Sequence, residues 1–486
     1  MNVSQETLDI VKNAQSVQNE IAKSITQATG LVAYDLQAGA KKLFPVITPL
    51  RNMLPRIAGA GGTATNWKSI TGINVGNTGA GVSEGNRGAA TTTTVINQVA
   101  AYKGIGLEDY VTFEADYAAT GFDDAKAIAT TDLLYSLMIA EELMILGGNS
   151  GTLVSLAQTP TPTLSAVAGG GSLSNAAYTV QCVALTLDGL NRSSVSGGVP
   201  TSVVKTNTDG STDTFGGGSA QISATATVTP AANGTIIASV APVKGAVAYA
   251  WYWGLAGAPV LGAITTLATT TITAAATGTQ TASSMGSTDN SPNALAFDGI
   301  IPQICQSGSG AYYAALANGT TGVGSTLTPD GAGGVVEIGT ALQSFWDNYR
   351  LSPDTLWVSS QEILNISKKV IAGGGAPLFR FVEDGGGKVV MGGGVIGNYL
   401  NPFTQQMLDV KIHPNVPKGT ILFTSSRVPY KVSDVGSLLA VKTRRDYYQL
   451  EWPLRTRKYE YGVYADELLQ NYFPPAFGMI TNIANG

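Results

Sequence analysis

The sequence predicts an α+β protein with an all-β segment set into it, and three observations carry that prediction. A single long helix, Asp123 to Leu146, stands between segments of strand character. From Thr152 to Pro292 the composition shifts to Thr, Ala, Gly, Ser and Val, with short strand-like runs at regular spacing. Beyond Pro292 the chain returns to mixed helix and strand and ends in a charged, aromatic tail.

The helix is read from Gly121 to Gly148, GFDDAKAIATTDLLYSLMIAEELMILGG. Asp123 and Asp124 stand where free amides favour an acid. Leu133, Leu134, Leu137, Met138, Ala140, Met144 and Ile145 recur at helical spacing. Gly147 and Gly148 supply the stop.

Composition narrows the function classes. The 486 residues are enough for about three domains. Charged residues make up 13% of the chain, with a formal net charge of -5, about half the usual charged share. Phosphate recognition needs concentrated Lys and Arg, so nucleic acid is not the expected primary partner. Cys182 and Cys305 are the only cysteines and are too far apart in sequence to form a disulfide framework, so both are expected as buried free thiols. The opening MNVSQETLDIVKNAQ has no apolar stretch of a secretory signal. No run of 18 apolar residues predicts a spanning helix.

Met1 to Lys42 is a thin amphipathic segment, with Leu8, Val11, Ala14, Val17, Ile21, Ile25, Ala28 and Val32 at intervals of three and four. A helix of this kind gains stability only against another surface. Pro45, Pro49 and Pro55 then favour extended or single-turn backbone. A hairpin follows: Thr63 to Ile73 as one arm, Gly76 to Gly88 as the tip and Thr91 to Tyr102 as the β-branched return. It has too few large apolar residues to bury a face of its own, and two-stranded ribbons are marginal alone.

The segment after the helix holds seven charged residues between Gly151 and Ala296: Asp188, Arg192, Lys205, Asp209, Asp213, Lys244 and Asp289. Strand-like runs are Ala177 to Leu187, Gln221 to Thr229, Thr235 to Val240, Val247 to Gly254 and Ala268 to Ala275, with Asp188-Gly189 and Asn233-Gly234 as turn signals. Short strands at this spacing predict a β-sandwich. Tyr249, Trp251 and Trp253 alternate along one strand as its core candidates, and Pro160, Pro162 and Pro292 mark linkers at its ends.

Next, Ala311 to Asn318 and Glu337 to Tyr349 read as helices, the second with Leu342, Phe345, Trp346 and Tyr349 on one stripe. Thr355 to Ser359 reads as a buried strand and Gln361 to Ile371 as a helix. The glycine runs at 373–375, 385–387 and 392–394 punctuate strands containing Phe379, Phe381, Val389 and Val390. Asp409 to His413, Thr420 to Ser425, Tyr447 to Trp452, Thr456 to Ala465 and Phe477 to Ile483 are further strands.

No catalytic constellation emerges, and neither a cofactor nor a metal is predicted. His413 is the only histidine, so a histidine triad or a multi-histidine metal site cannot form within one chain. Its neighbours Lys411 and Pro414 place it on a surface strand. The run GGGK, Gly385 to Lys388, lacks the Ser or Thr and the helix that a phosphate loop requires. GGGSLS, beginning at Gly169, has no lysine. Glu141 and Glu142 are adjacent and point in different directions on a helix, which makes them partners of basic residues rather than a catalytic pair. Arg444, Arg445, Arg455, Arg457 and Lys458 alternate with Tyr447, Tyr448, Trp452 and Tyr459, and with the acids Asp446, Glu451 and Glu460. A mixed-charge strand network forming a subunit interface is favoured there over an ordinary domain surface or a nucleic-acid contact.

The order of these pieces resembles the major capsid protein of tailed bacteriophages of the Hong Kong 97 type. Met1 to Lys42 looks like that family's N-terminal arm and Gly59 to Tyr102 like its extended loop. Asp123 to Leu146, ending in AEELMILGGN, is similar to the spine helix, and TRKYEYGVYADELLQNYFPPAFGMITNI to the closing strands. The resemblance implies seven regions: arm 1–42; proline-rich lead-in 43–58; extended loop 59–102; peripheral domain with spine helix 103–151; inserted sandwich 152–292; axial domain 293–441; and C-terminal peripheral strands 442–486. Within the insertion, APVKGAVAYAWYWG resembles a middle strand of a fibronectin type III or immunoglobulin-like module. The implied function is a non-catalytic icosahedral head shell around a phage genome, assembled in the host cytoplasm. Its implied partners are copies of the same chain in hexamers and pentamers, portal and scaffolding proteins, a decoration protein and non-specifically contacted DNA, with no membrane. No covalent crosslink through Lys68 is expected. The rival reading is a fibre, adhesin or surface-layer protein with an immunoglobulin-like module; an α/β enzyme ranks third.

Overall fold

The computed structural model describes residues 44–73, 81–88, 90, 92–119, 124–255, 257–372, 381–384, 388–391 and 396–486, without the side chains of 73, 381–384 and 388–391. The segment 1–42, the first part of the hairpin tip, the helix start at 121–123 and the three glycine runs lie outside the described residues.

The long helix runs Ala125–Gly147, 23 residues, or about 35 Å at the α-helical rise. Asp124 caps it, its carboxylate accepting from the amides of Lys126 and Ala127. Leu133 and Leu137 are buried on one side, and from Glu141 onward burial spreads around the helix. The two glycines at its end are required by close packing. A Cβ on Gly147 would lie 2.5 Å from Leu187, and one on Gly148 would lie 2.4 Å from the Phe297 carbonyl oxygen.

The helix lies on a four-stranded sheet ordered Arg56–Ala58, Leu439–Glu451, Lys458–Asn471, Lys103–Thr112. Tyr461, Val463 and Ala465 alternate with outward residues and meet Leu133 and Leu137 in one apolar cluster, which also contains Ile105 and Val111. On the outward face Tyr464 lies across Gly106 and Gly462, where an added Cβ would fall 2.1 and 2.6 Å from its ring. The two glycines are needed because the ring occupies the space a side chain would fill.

The hairpin pairs Ala64–Ile73 with Thr93–Ala101 as a separate two-stranded sheet. Trp67 is tied down through its indole N–H to the Asn471 carbonyl, 2.8 Å, and the Thr65 hydroxyl donates to that of Tyr102. The opposite face leaves Ile70, Val95 and Val99 exposed.

Between 163 and 272 the chain forms two larger antiparallel sheets and a two-stranded one, Ser202–Thr206 with Thr212–Gly216. One larger sheet is ordered Thr269–Ile272, Thr235–Ser239, Thr163–Val167; the other Val260–Thr265, Ala248–Leu255, Tyr178–Leu185, Ala226–Val228. Tyr249, Trp251 and Trp253 share a buried cluster with Ile236 and Ile272 of the first sheet. The other side of the same strand is also buried, with Ala248, Ala250 and Tyr252 packing on Val199, Leu261 and Met285. Asn233 takes a left-handed φ of 58° at its turn. Asp188-Gly189 does not form the expected turn: it lies in a short helix, Leu187–Arg192, whose start is capped by the Thr186 hydroxyl. Proline-marked ends do not isolate this segment. The Ala268 amide donates to Asn482 Oδ1 at 2.8 Å, Asn318 Nδ2 donates to the Val240 carbonyl at 2.6 Å, and one apolar cluster continues into the rest of the body.

That body is a six-stranded sheet ordered Tyr312–Ala315, Gly478–Thr481, Ile421–Thr424, Thr355–Val358, Met407–Ile412, Asn398–Leu400, with helices Val336–Tyr349 and Ser360–Ala372 beside it in sequence. Leu342 and Phe345 are buried, while Trp346 and Tyr349 are half-buried. Ala311 to Asn318, expected as a helix, contains the strand Tyr312–Ala315, which pairs in parallel with Gly478–Thr481. Tertiary pairing with the chain's last strand overrides the local helical preference of its alanines. That last strand therefore lies in the six-stranded sheet, away from the four-stranded sheet holding its neighbours in sequence.

Candidate functional site: a buried charged node

Glu141 and Glu142 are both fully buried, in the last two turns of the long helix. Neighbouring helical side chains point about 100° apart, so the two acids serve different elements.

Glu141 faces the four-stranded sheet. Its Oε2 accepts from Arg51 Nε at 2.7 Å and from the Tyr447 hydroxyl, and its Oε1 pairs with Arg56 Nη1. Arg56 also reaches Glu467 Oε2 at 2.7 Å and Asp446 Oδ1 at 2.8 Å through Nη2. Both guanidiniums lie over the Tyr447 ring, at 5.2 Å for Arg51 and 4.8 Å for Arg56, as cation–π contacts. Burial alone would lower the pKa of Arg56, but the charge of Glu141, the hydrogen bond to Asp446 and the charge of Glu467 together raise it. Burial, then Glu141, raises the pKa of the Tyr447 phenol. Both groups are held in their ordinary protonated forms.

Glu142 faces the lead-in. The helix Pro49–Met53 begins at Thr48, whose side chain makes no capping bond. Glu142 supplies the cap from 92 residues away in sequence: Oε1 accepts from the Leu50 amide at 2.9 Å and Oε2 from the Arg51 amide at 2.7 Å. A carboxylate at a helix N-terminus satisfies orphan donors and complements the helix dipole.

The second ligand of Glu142 Oε1 is His413, at 2.6 Å through Nε2. His413 is fully buried, which corrects its assignment to a surface strand. Leu408 and Val410 are buried on the strand Met407–Ile412, but Ile412 is exposed and His413 turns inward. The two-residue alternation thus slips by one at the strand's end. The His413 ring stands edge-on to Trp357, 5.8 Å between centroids. Its Nδ1 accepts from the Asn415 amide at 3.1 Å, so the proton in this arrangement sits on Nε2 and is donated to Glu142.

The expected pairing of the two glutamates with basic residues therefore applies to Glu141, while Glu142 takes backbone amides and a histidine. Sequence reasoning missed Arg51, Arg56 and Glu467 as members of the node. One signal was available: Glu141 lies four residues after Leu137 and eight after Leu133, on the stripe that otherwise meets the sheet.

The basic and aromatic cluster of the tail is a mixed-charge network on two strands and the turn between them. Arg444 pairs with Asp466 at 2.9 Å, Arg457 with Glu114 at 2.7 Å and Lys458 with Glu460 at 2.7 Å. Arg445 lies 3.8 Å over the Tyr448 ring, which stacks with Tyr464. The glycines of GGGK lie outside the described residues, and Lys388 opens a strand, Lys388–Met391. Cys182 and Cys305 are buried free thiols. Among the described residues no group of His, Cys, Asp and Glu could hold a metal ion, and no helix is long and apolar enough to cross a membrane.

No protein-family model matches the sequence, and no curated protein matches it. Solved structures similar to the chain include three particle proteins. The capsid of Cyanophage P-SCSP1u is 7% identical, with a TM-score of 0.44 over 95% of this chain and 98% of that one. The capsid of Myoviridae Phage XM1 is 10% identical, with a TM-score of 0.43 over 94% and 99%. The capsid of the native GTA particle is 10% identical, with a TM-score of 0.41 over 96% and 100%.

Proposed function

We propose that this chain is a shell-forming major capsid protein of the Hong Kong 97 type, and that its function is repeated self-association rather than turnover. The observation that carries this reading is the hairpin Ala64–Ile73 and Thr93–Ala101, a two-stranded ribbon with Ile70, Val95 and Val99 exposed on one face. Such a ribbon is marginal alone and gains about 25 cal/mol for each Å² of apolar surface covered. A neighbouring copy is the occupant we assign to it. Closed rings of more than two copies are built from heterologous contacts of this kind.

On this reading the helix Ala125–Gly147 is the spine, the four-stranded sheet is the peripheral domain and the six-stranded sheet the centre of the axial domain. The two larger sheets between Thr163 and Ile272 form an immunoglobulin-like insertion facing outward. Their sparse charge makes them neutral toward packaged DNA. Copies of the chain would form hexamers and pentamers in a virion head assembled in the host cytoplasm. Portal, scaffolding and decoration proteins would be its partners, and DNA would be touched only non-specifically. The buried node keeps helix, lead-in and sheets in fixed relation, so that each subunit presents the same surfaces.

Negative-stain microscopy of the purified chain, alone and with a co-expressed scaffolding protein, tests the reading. Uniform closed particles support it. Fibres or flat lattices would transfer support to the fibre or surface-layer alternative, and a compact monomer under all conditions would overturn both.

A further inference from the structure

We propose that Glu141 and Glu467 hold one proton between them, tying the long helix to the strand Lys458–Asn471 by a carboxylic acid–carboxylate hydrogen bond that opens when the proton is lost. The inference concerns the single chain and does not depend on the shell reading.

A single guanidinium, that of Arg56, contacts Glu141 through Nη1 and Glu467 through Nη2, which holds the two carboxyl groups side by side. Both side chains are fully buried. Glu467 Oε1 is buried with no hydrogen-bond partner among the described residues. As an ionised oxygen it would be an uncompensated acceptor beside a second carboxylate, which costs heavily away from water. Protonated, it becomes a donor, and a hydrogen bond to the Glu141 carboxylate is among the causes that raise the Glu467 pKa.

The surrounding charges do not supply an alternative. Arg51, from the short helix, is committed to Glu141 Oε2 and Tyr447. Asp446, from the adjoining strand, takes part of the Arg56 charge and adds a third acid. Glu142 and His413, behind the helix, are bound to each other. Lys103 stands opposite Glu467 in strand register, but its ammonium reaches the Ala294 carbonyl. Burial, then the charge of Glu141, pushes the Glu467 pKa up to about 8 against the pull of Arg56.

The linkage has a definite sign. A carboxyl group with a raised folded-state pKa binds more protons folded than unfolded, so stability falls as pH rises. The fall begins in the ordinary glutamate range and is complete near pH 8. Only a proton leaves, transferred from the Glu467 carboxyl to solvent base. The tie sits at the root of the hairpin: Arg56 begins the strand that leads into it, and Asn471, at the end of the strand carrying Glu467, holds Trp67. Losing the proton therefore loosens the base of the ribbon.

The test compares wild type with Glu467→Gln, whose amide donates to Glu141 at every pH. Thermal midpoints are measured from the ordinary glutamate range to just above pH 8, and infrared spectra of the folded protein are recorded in heavy water. The wild-type midpoint should fall across the window relative to the variant. Wild type should also show a protonated-carboxyl band near neutral pH that the variant lacks. Parallel midpoint curves, or no difference in that band, would overturn the proposal. If Glu467→Gln does not fold, Glu141→Gln removes the neighbouring charge that raises the Glu467 pKa, and the wild-type midpoint should fall across the window relative to that variant as well.

Discussion

His413 Nε2 lies 2.6 Å from Glu142 Oε1, and both side chains are fully shielded from solvent. This contact joins the long helix to the end of a strand in the six-stranded sheet, while the other bonds of the same carboxylate hold the start of the helix Pro49–Met53. One side chain thus fastens three elements that are distant in sequence.

Replacing His413 by Phe keeps a ring against Trp357 and removes the donor. A hydrogen bond to a charged group contributes about 1.5–3 kcal/mol, so a loss of that order is expected in urea unfolding. A smaller effect of His413→Phe than of a surface substitution would show that the contact does not hold the elements together.

Gly106→Ala should be destabilising by about 1–3 kcal/mol, the usual cost of forcing atoms into filled space, because its Cβ would lie 2.1 Å from the Tyr464 ring. Combining it with Tyr464→Ala should recover part of that loss. Additive effects in the double-mutant cycle would contradict the contact.

Asp124→Ala removes the cap of the long helix, where the carboxylate accepts from two amides. The expected cost is about 0.5–2 kcal/mol, measured as a shift in denaturation midpoint without change in slope. Asp124→Asn should retain most of the stability.

Burial raises the pKa of both thiols, that of Cys305 to about 12. The thiolate is the reactive form. A disulfide reagent at mildly alkaline pH should therefore leave both untouched in the folded chain and titrate both once guanidinium is added. Rapid reaction of either in native buffer would refute their burial.

Ile70→Asp together with Val99→Asp places charge on the exposed face of the hairpin. The monomer midpoint should change little, because both side chains are exposed, while particle yield should collapse. Normal yield would remove the ribbon from the proposed contact.

The hairpin, the long helix and its cap, and most strands of the tail were legible because each is written locally. They show as β-branched runs around glycine, an apolar stripe with Asp124 before it, and alternation at period two. The strand Tyr312–Ala315 was not legible, because its pairing partner lies about 165 residues away and its alanines favour helix. The Asp188-Gly189 signal failed for a related reason, since Thr186 caps a helix there.

What could be read from local pattern was the long helix with its cap, the two arms of the hairpin, which strand of the Thr-rich segment carries its tryptophans, and that a single histidine cannot make a histidine cluster. Only the tertiary structure decided what the charged residues are for. A glutamate's value depends on which donors reach it once water is excluded, and Arg51, Arg56, His413, Tyr447 and Glu467 converge on the helix from elements up to several hundred residues apart. Local pattern records periodicity, whereas convergence of charge is a property of the packed chain.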